Sequence, residues 1–377
     1  MKKFISFVLL FCILFSLVAC GNIDNTSLED GNTFPTAETV INTEATKPEI
    51  IPTETKPVET QPIETTPVET EPPEFTITMS FTGDMMLAAY EGHSYKSSFT
   101  YYEDTQEPSY FLEKVKHIFE ADDFTVANLE NVLTDRDLSK RDKGSGRAFW
   151  FKSKTANTKI LTCASVEGVS LANNHTYDYK EAGYNDTVEA VINAGLNYGV
   201  DDKIMYFEKE GFRIAIICSG LWGEYQADAI INLIKKAEEQ SDYQVVFYHG
   251  GTESIHAPEA WKIRSSHKLV DNGADLVIGN HPHVLQPREI YNGVEIVYSL
   301  GNFCYGGHTA PKNRTIIYQM SLTINKETLT IENSVSNIIP CYVYTGSANN
   351  FQPAIIENED EKQRVLDFMG GLLELPY

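Results

Sequence analysis

Two histidines flank a proline in His281-Pro282-His283, just past the apolar run Leu276-Val277-Ile278 and the pair Gly279-Asn280. The run reads as a buried strand. Imidazoles spaced i, i+2 beyond a strand end, with a proline stiffening the turn, can face one pocket as two ligands of a metal centre. Alone, the pair fits a surface loop equally well. The reading is tipped by further donors upstream, each at the end of a strand-like segment: Asp84, Glu130, Asn174, His175 and His249. Carboxylate, amide oxygen and imidazole together suit Mn, Fe or Zn better than Ca or Mg. So many donors exceed the needs of one tetrahedral ion, so a centre of one or two ions is expected. A divalent transition metal of this kind makes a hydroxide nucleophile at neutral pH, and a buried histidine beside it can act as general acid. Singly, each group has an ordinary explanation: Asp84 after Gly83 as a turn or cap residue, Asn173-Asn174 as turn formers. Their recurrence at successive strand tips is what points to a metal.

The elements that must hold these groups alternate along the chain. Phe75–Phe81 reads as a strand running into Thr82-Gly83-Asp84, and Phe124–Ala127 as one running into Asn128-Leu129-Glu130. Val166–Leu171 leads to Ala172-Asn173-Asn174-His175, and Tyr243–Tyr248 to His249-Gly250-Gly251-Thr252-Glu253. Phe212–Cys218, Val294–Ser299, 315–324 and 328–344 are further strands. Helical spacing marks Tyr110–Glu120, Thr155–Ala164, 181–194, Ala227–Glu239 and Ala257–Asn272. Strands alternating with helices, with polar groups at the carboxyl tips, predict an α/β domain whose chemistry sits at one edge of a sheet.

That domain does not start at residue 1. Met1-Lys2-Lys3 is basic, Phe4–Val18 is almost wholly apolar, and Leu17-Val18-Ala19-Cys20 closes the segment. This is the layout of a signal peptide over residues 1–19, and its ending resembles a bacterial lipobox, which implies a lipid on Cys20. Residues 20–74 are rich in Thr, Pro and Glu, with the repeats Pro57-Val58-Glu59-Thr60-Gln61, Pro62-Ile63-Glu64-Thr65-Thr66 and Pro67-Val68-Glu69-Thr70-Glu71. Such a stretch cannot bury a core and is expected to be a disordered, extended stalk reaching roughly 170 Å. The folded domain is placed at 75–345, followed by a tail, 346–377, with helical spacing over Glu361–Leu373. The formal charge of the 377 residues is −23; four lysines against twelve acids in residues 1–74 leave −15 for the remainder. So acidic a domain is a poor partner for nucleic acid. Cys163, Cys218, Cys304 and Cys341 stand singly and read as small apolar residues, with one disulfide left open.

Taken together, Gly83-Asp84-Met85-Met86-Leu87, Ala127-Asn128-Leu129-Glu130, Leu171-Ala172-Asn173-Asn174-His175, His249-Gly250-Gly251-Thr252-Glu253, His281-Pro282-His283-Val284-Leu285-Gln286 and Ser299-Leu300-Gly301-Asn302-Phe303 resemble the CapA family of poly-γ-glutamate capsule proteins. That family is similar to the calcineurin-like metallophosphoesterases, which implies an αββα sandwich of two β-sheets flanked by helices. The resemblance implies Asp84, Glu130, Asn174, His249, His281 and His283 as metal ligands, Glu130 as the bridging one, and His175 as the acid. It also implies Glu253 near the substrate. Three departures are visible. Met86 stands where the phosphoesterase pattern has a histidine ligand, Gly250 where the family has tryptophan after His249, and Lys180 where it commonly has glycine. The loss of the tryptophan removes an aromatic wall beside the pocket. Between Asp135 and Lys154, seven basic residues, Arg136, Arg141 and Arg147 among them, are suited to an anionic polymer such as poly-γ-glutamate. The implied protein sits outside the bacterial cytoplasmic membrane, lipid-anchored through Cys20, with polymer synthase subunits as partners. Three activities fit: hydrolysis or transfer at γ-glutamyl amide bonds, cleavage of an envelope phosphodiester, or non-catalytic tethering of polymer.

Overall fold

A computed structural model describes residues 73–377, apart from Arg147, Thr309, Leu373 and Glu374. The signal segment, Cys20, nearly all of the stalk and Arg147 therefore lie outside the described residues. The strands in chain order are β1 (Glu74–Met86), β2 (Phe124–Leu129), β3 (Val132–Leu133), β4 (Lys152–Ser153), β5 (Gly168–Ser170), β6 (Asn197–Gly199), β7 (Met205–Lys209) and β8 (Phe212–Gly220). There follow β9 (Tyr243–His249), β10 (Leu276–Asn280), β11 (Leu285–Tyr291), β12 (Val294–Leu300), β13 (Asn302–Tyr305), β14 (Thr315–Asn325), β15 (Ile331–Tyr342) and β16 (Ala354–Ile355). The helices are α1 (Phe99–Thr105), α2 (Lys116–Phe119), α3 (Thr158–Thr162), α4 (Lys180–Asn193), α5 (Ala227–Glu238), α6 (Ala260–Val270) and α7 (Glu359–Met369).

They build a mixed α/β fold. One sheet runs β16-β15-β14-β1-β2-β5-β6, with β13 beside β1; the other runs β11-β12-β10-β9-β8-β7, and β3 and β4 form a small separate pair. β1, β2, β5 and β6 are mutually parallel, as are β8, β9, β10 and β12, while β14 and the edges β7 and β11 are antiparallel to their neighbours. The two large sheets face each other. The rings of Phe81 and Phe247 meet across the gap at 5.8 Å between centroids, and Ile214, Ile216, Val245, Leu276 and Ile278 join Ile77 and Met79 in one core. On the other side of the second sheet, Ala215, Ile217, Val246 and Val277 pack against Ile230 and Ile234 of α5 and Leu269 of α6. Burial on both faces explains why β8, β9 and β10 read as continuous apolar runs. Among the described residues no helix is long and apolar enough to cross a membrane.

Two expectations give way here. The helix expected over Tyr110–Glu120 is a 3-10 turn at Pro108–Tyr110, further turns, and only the short α2. Its apolar residues are buried all the same: Phe111 stacks on Phe99 at 4.9 Å and Phe119 meets Phe303. Tertiary contact, rather than a continuous helix, satisfies the pattern. The segment after Gly346 is no separate tail. β16 pairs with β15 through Cys341 and Tyr342, and α7, capped by Asn358, puts Val365, Phe368 and Met369 into the main core. All four described cysteines are free thiols.

Candidate metal centre

Parallel pairing carries the donors to one edge. Asp84 on β1 lies opposite Asn128 on β2, and His249 on β9 lies opposite Asn280 on β10. β1 bulges between Phe81 and Asp84, and the Asp84 amide donates to the Gly301 carbonyl at 2.9 Å. That approach requires glycine before it: a Cβ on Gly83 would lie 1.9 Å from the Gly301 oxygen. Beyond β10 the chain turns sharply, with His281 at φ 97° and His283 at φ 58°. Both are left-handed conformations that non-glycine residues avoid, and such strain collects where the surrounding structure must aim a side chain.

The six expected ligands converge. Asp84 takes the His283 Nδ1 at 2.9 Å on Oδ2 and the Asn128 amide at 2.8 Å on Oδ1, and the His281 backbone N–H points at it from 3.3 Å. His249 sits between Asn174 Oδ1 (2.9 Å) and His281 Nδ1 (3.0 Å) on its Nε2 side, with Asn128 Nδ2 at 2.9 Å from its Nδ1. Glu130 Oε1 is 3.4 Å from His249 Nε2 and 3.8 Å from His283 Nε2. Three overlapping groups could each hold an ion: Glu130, His249 and His281; Asp84, Glu130 and His283; and Glu253, His281 and His283.

The electrostatics fit a cation. Glu130 is fully buried and, among the described residues, neither of its carboxylate oxygens has a hydrogen-bond donor. Burial, and then the nearby Asp84 carboxylate, hold its pKa well above the usual range. An orphaned buried carboxylate is costly unless a positive charge meets it. Burial, with the neighbouring imidazoles, holds His249 and His281 far below ordinary histidine values, His281 at about 2, so both rings stay neutral, the state a metal ligand requires. Burial would lower His283 too, but Glu130 and Asp84 outweigh it and push the ring up to about 10. A proton held between two carboxylates marks a place where a metal competes for the same position.

Around this cluster stand partners that the sequence reading passed over. His175 Nδ1 is 2.8 Å from Asp178 Oδ2, whose other oxygen holds Lys143 Nζ at 2.5 Å; the Phe151 amide also donates to Asp178. Burial lowers the His175 pKa, with Asp178 opposing. The spacing His-x-x-Asp was the available signal for this pair. The expected loss of an aromatic wall is corrected: Trp222, from the loop after β8, packs edge-on to His281 at 4.8 Å and beside His249 at 5.6 Å. Gly250 is glycine because Leu221 crosses it, its oxygen 1.8 Å from where a Cβ would stand. Lys180 adopts φ 59°, the conformation a glycine takes without strain. Met86 points no donor at the centre; it is buried with Ala88, Phe151, Tyr305 and Val343.

In the basic segment most of the cations are already paired. Arg136 is bound to Asp186 through two nitrogens and lines a separate hollow with Lys159 and Asn193 that contains none of the six donors. Lys140 pairs with Glu91, Lys143 with Asp178 and Lys154 with Asp104. Arg141 lies beside Asn173, Asn174 and Trp222, and Glu253 beside His175 and His283.

A two-sheet α/β fold with buried carboxylates, imidazoles and an amide at its strand ends defines a protein able to hold a metal ion. Comparison places it further: the family model for the bacterial capsule synthesis protein PGA_cap matches residues 78–306, and the chain belongs to that family. The PGA biosynthesis protein CapA of Bacillus subtilis strain 168 is 30% identical over 269 residues, 64% of this chain and 67% of that one. The capsule biosynthesis protein CapA of Bacillus anthracis is 26% identical over 325 residues, 79% and 75% of the two chains. A probable polyglutamine synthesis accessory protein of Mycobacterium tuberculosis is 23% identical over 54% of this chain and 62% of its own. Among solved structures, a novel phosphatase from Mycoplasma pneumoniae superposes with TM-score 0.41 at 14% identity, over 71% of this chain and 94% of that one. The protein TT1561 of Thermus thermophilus gives 0.39 at 10% identity, over 70% and 99%.

Proposed function

We propose that the protein is a cell-surface lipoprotein acting in the synthesis, export or processing of a poly-γ-glutamate capsule, and that it is a metal-dependent hydrolase or transferase. Asp84, Glu130, Asn174, His249, His281 and His283 hold one or two Mn, Fe or Zn ions. The lipid on Cys20 keeps the protein on the outer side of the cytoplasmic membrane, with residues 20–74 as a spacer. The observation that carries the metal reading is Glu130, buried among three histidines with both oxygens lacking a donor. An ion held by these residues would supply positive charge able to polarise a substrate oxygen and acidify water. The chain's own groups do the rest. Asp178 holds His175 by its Nδ1, which leaves Nε2 to take or give a proton in the hollow that His283 also lines. Lys143 fixes the Asp178 carboxylate, and Asn128 keeps Asp84 and His249 in register. Trp222 shields the imidazoles from water on one side.

The test is elemental analysis of the full-length protein purified without chelator, followed by incubation with poly-γ-glutamate and, separately, a chromogenic phosphodiester. One or two transition-metal ions per chain and shortening of the polymer are expected. Phosphodiester turnover alone moves the activity to an envelope phosphoester. Bound metal with no turnover leaves a polymer tether, and no metal after reconstitution overturns the site.

A further inference from the structure

Two hollows adjoin the centre. One, of about 480 Å³, is lined by Arg141, Lys143, Asn173, Asn174 and Trp222. The other, of about 670 Å³, includes His175, Glu253, His283, Tyr305, His308 and Lys312. Each reaches the donor cluster, the first through Asn174 and the second through His283 and Glu253. The contact of Lys143 Nζ with His175 Nδ1, at 3.4 Å, links their walls: Lys143 lines one hollow and His175 the other.

Each hollow holds one cation with no acid paired to it among the described residues. Lys143 is engaged by Asp178 Oδ1 at 2.5 Å and the Phe149 carbonyl at 2.7 Å, which leaves Arg141 as the donor facing the first hollow. Arg141 is exposed and has no ion pair among the described residues, while Arg136, Lys140 and Lys154 around it are all paired. In the second hollow Lys312 is likewise exposed and without an ion pair among the described residues, its ammonium 5.0 Å from the Tyr377 ring. In a region of net charge −15, long-range attraction for an anion is absent, so any anion must be taken by local donors such as these. Each hollow also has an aromatic wall: Trp222, 37% exposed, in the first, and Tyr90, Phe151 and Tyr305 in the second. Rings of this kind pack on methylenes and amide planes, while the cations take charges set along the same chain.

We propose that Arg141 and Lys312 are carboxylate subsites on either side of the metal centre, and that the ligand is a linear acidic chain laid across it. This rests on the metal-dependent reading above and adds that the bond acted on lies inside the chain. In the hydrolytic case water adds its oxygen to the amide carbon, the C–N bond breaks, and the nitrogen leaves with a proton as an amine. The products are two shorter chains. A site built for chain ends would need only one such hollow.

The test uses full-length, Mn-loaded protein with fluorescein-labelled γ-linked decaglutamate and diglutamate. R141Q and K312Q should each weaken decamer binding by about three- to ten-fold, and the double variant by about 10- to 100-fold. The dimer should respond to one substitution at most. Decamer binding indifferent to either substitution, or absent from metal-loaded wild type, overturns the proposal. Metal content measured on the same samples separates this from failure of the metal reading, since neither residue is a ligand: wild type that takes up no Mn refutes the centre itself.

Discussion

Replacing Glu130 by glutamine separates the metal-free and metal-bound energetics of the centre. The side chain is fully buried with no donor to either oxygen among the described residues, and its pKa is held well above the carboxylate range. Without metal a proton shared with His283 offsets the carboxylate charge, so glutamine, of the same shape and uncharged, should change stability by only about 1 kcal/mol. With metal the outcome differs. Wild type at a free metal concentration one hundred times its Kd gains about 2.7 kcal/mol. Losing a direct ligand should weaken binding at least as much as the ~10–100-fold seen for outer contacts. At the same metal concentration the variant then gains only about 0.4–1.4 kcal/mol. In a domain of this size, wild type should rise by about 5 °C on loading and the variant by about 1–3 °C. Thermal melts of chelator-treated and metal-reloaded samples, with metal content measured alongside, provide the assay. Equal metal content and equal rises in Tm would show that Glu130 is not a ligand.

Four further outcomes are expected. His175→Ala should retain full metal and lose turnover on any substrate found; loss of metal would make His175 a ligand rather than a proton carrier. Gly250→Ala should cost about 2–3 kcal/mol or more and reduce metal affinity, because its Cβ must displace the Leu221 backbone that carries Trp222; a near-neutral melt contradicts the geometry. Burial raises Glu167 to about 7, so the stability it contributes is present below its unfolded pKa and lost as pH rises through 7. Glu167→Gln should then gain about 1–2 kcal/mol over wild type at pH 8 relative to pH 5 in urea unfolding, allowing for partial exposure, and a pH-independent difference would count against it. Cys20→Ser should leave the protein unprocessed or released to the medium, and wild-type levels in detergent-extracted membranes would exclude the lipid anchor.

The donor cluster was legible in the sequence because each donor sits at or near the carboxyl end of a strand, and parallel neighbours bring their carboxyl ends to the same edge of a sheet. Asp84, Glu130, His249, His281 and His283 need only local signals: an apolar run, then a polar group. The long helices α4, α5 and α6 and the doubly buried β8, β9 and β10 were legible for a similar reason, since their burial patterns are periodic or continuous. Contacts between residues far apart in the chain were decided by the tertiary structure alone. Arg136 looks available in a basic run until Asp186, fifty residues on, takes both of its nitrogens. The wall expected from the residue after His249 comes instead from Trp222, because Leu221 crosses so closely that only glycine fits at 250. Phe111, Val115 and Phe119 carry helical spacing yet do not form one helix, since packing against Phe99 and Phe303 buries them without it. Spacing along a chain reports which face a residue can bury; only the fold decides which charge meets which.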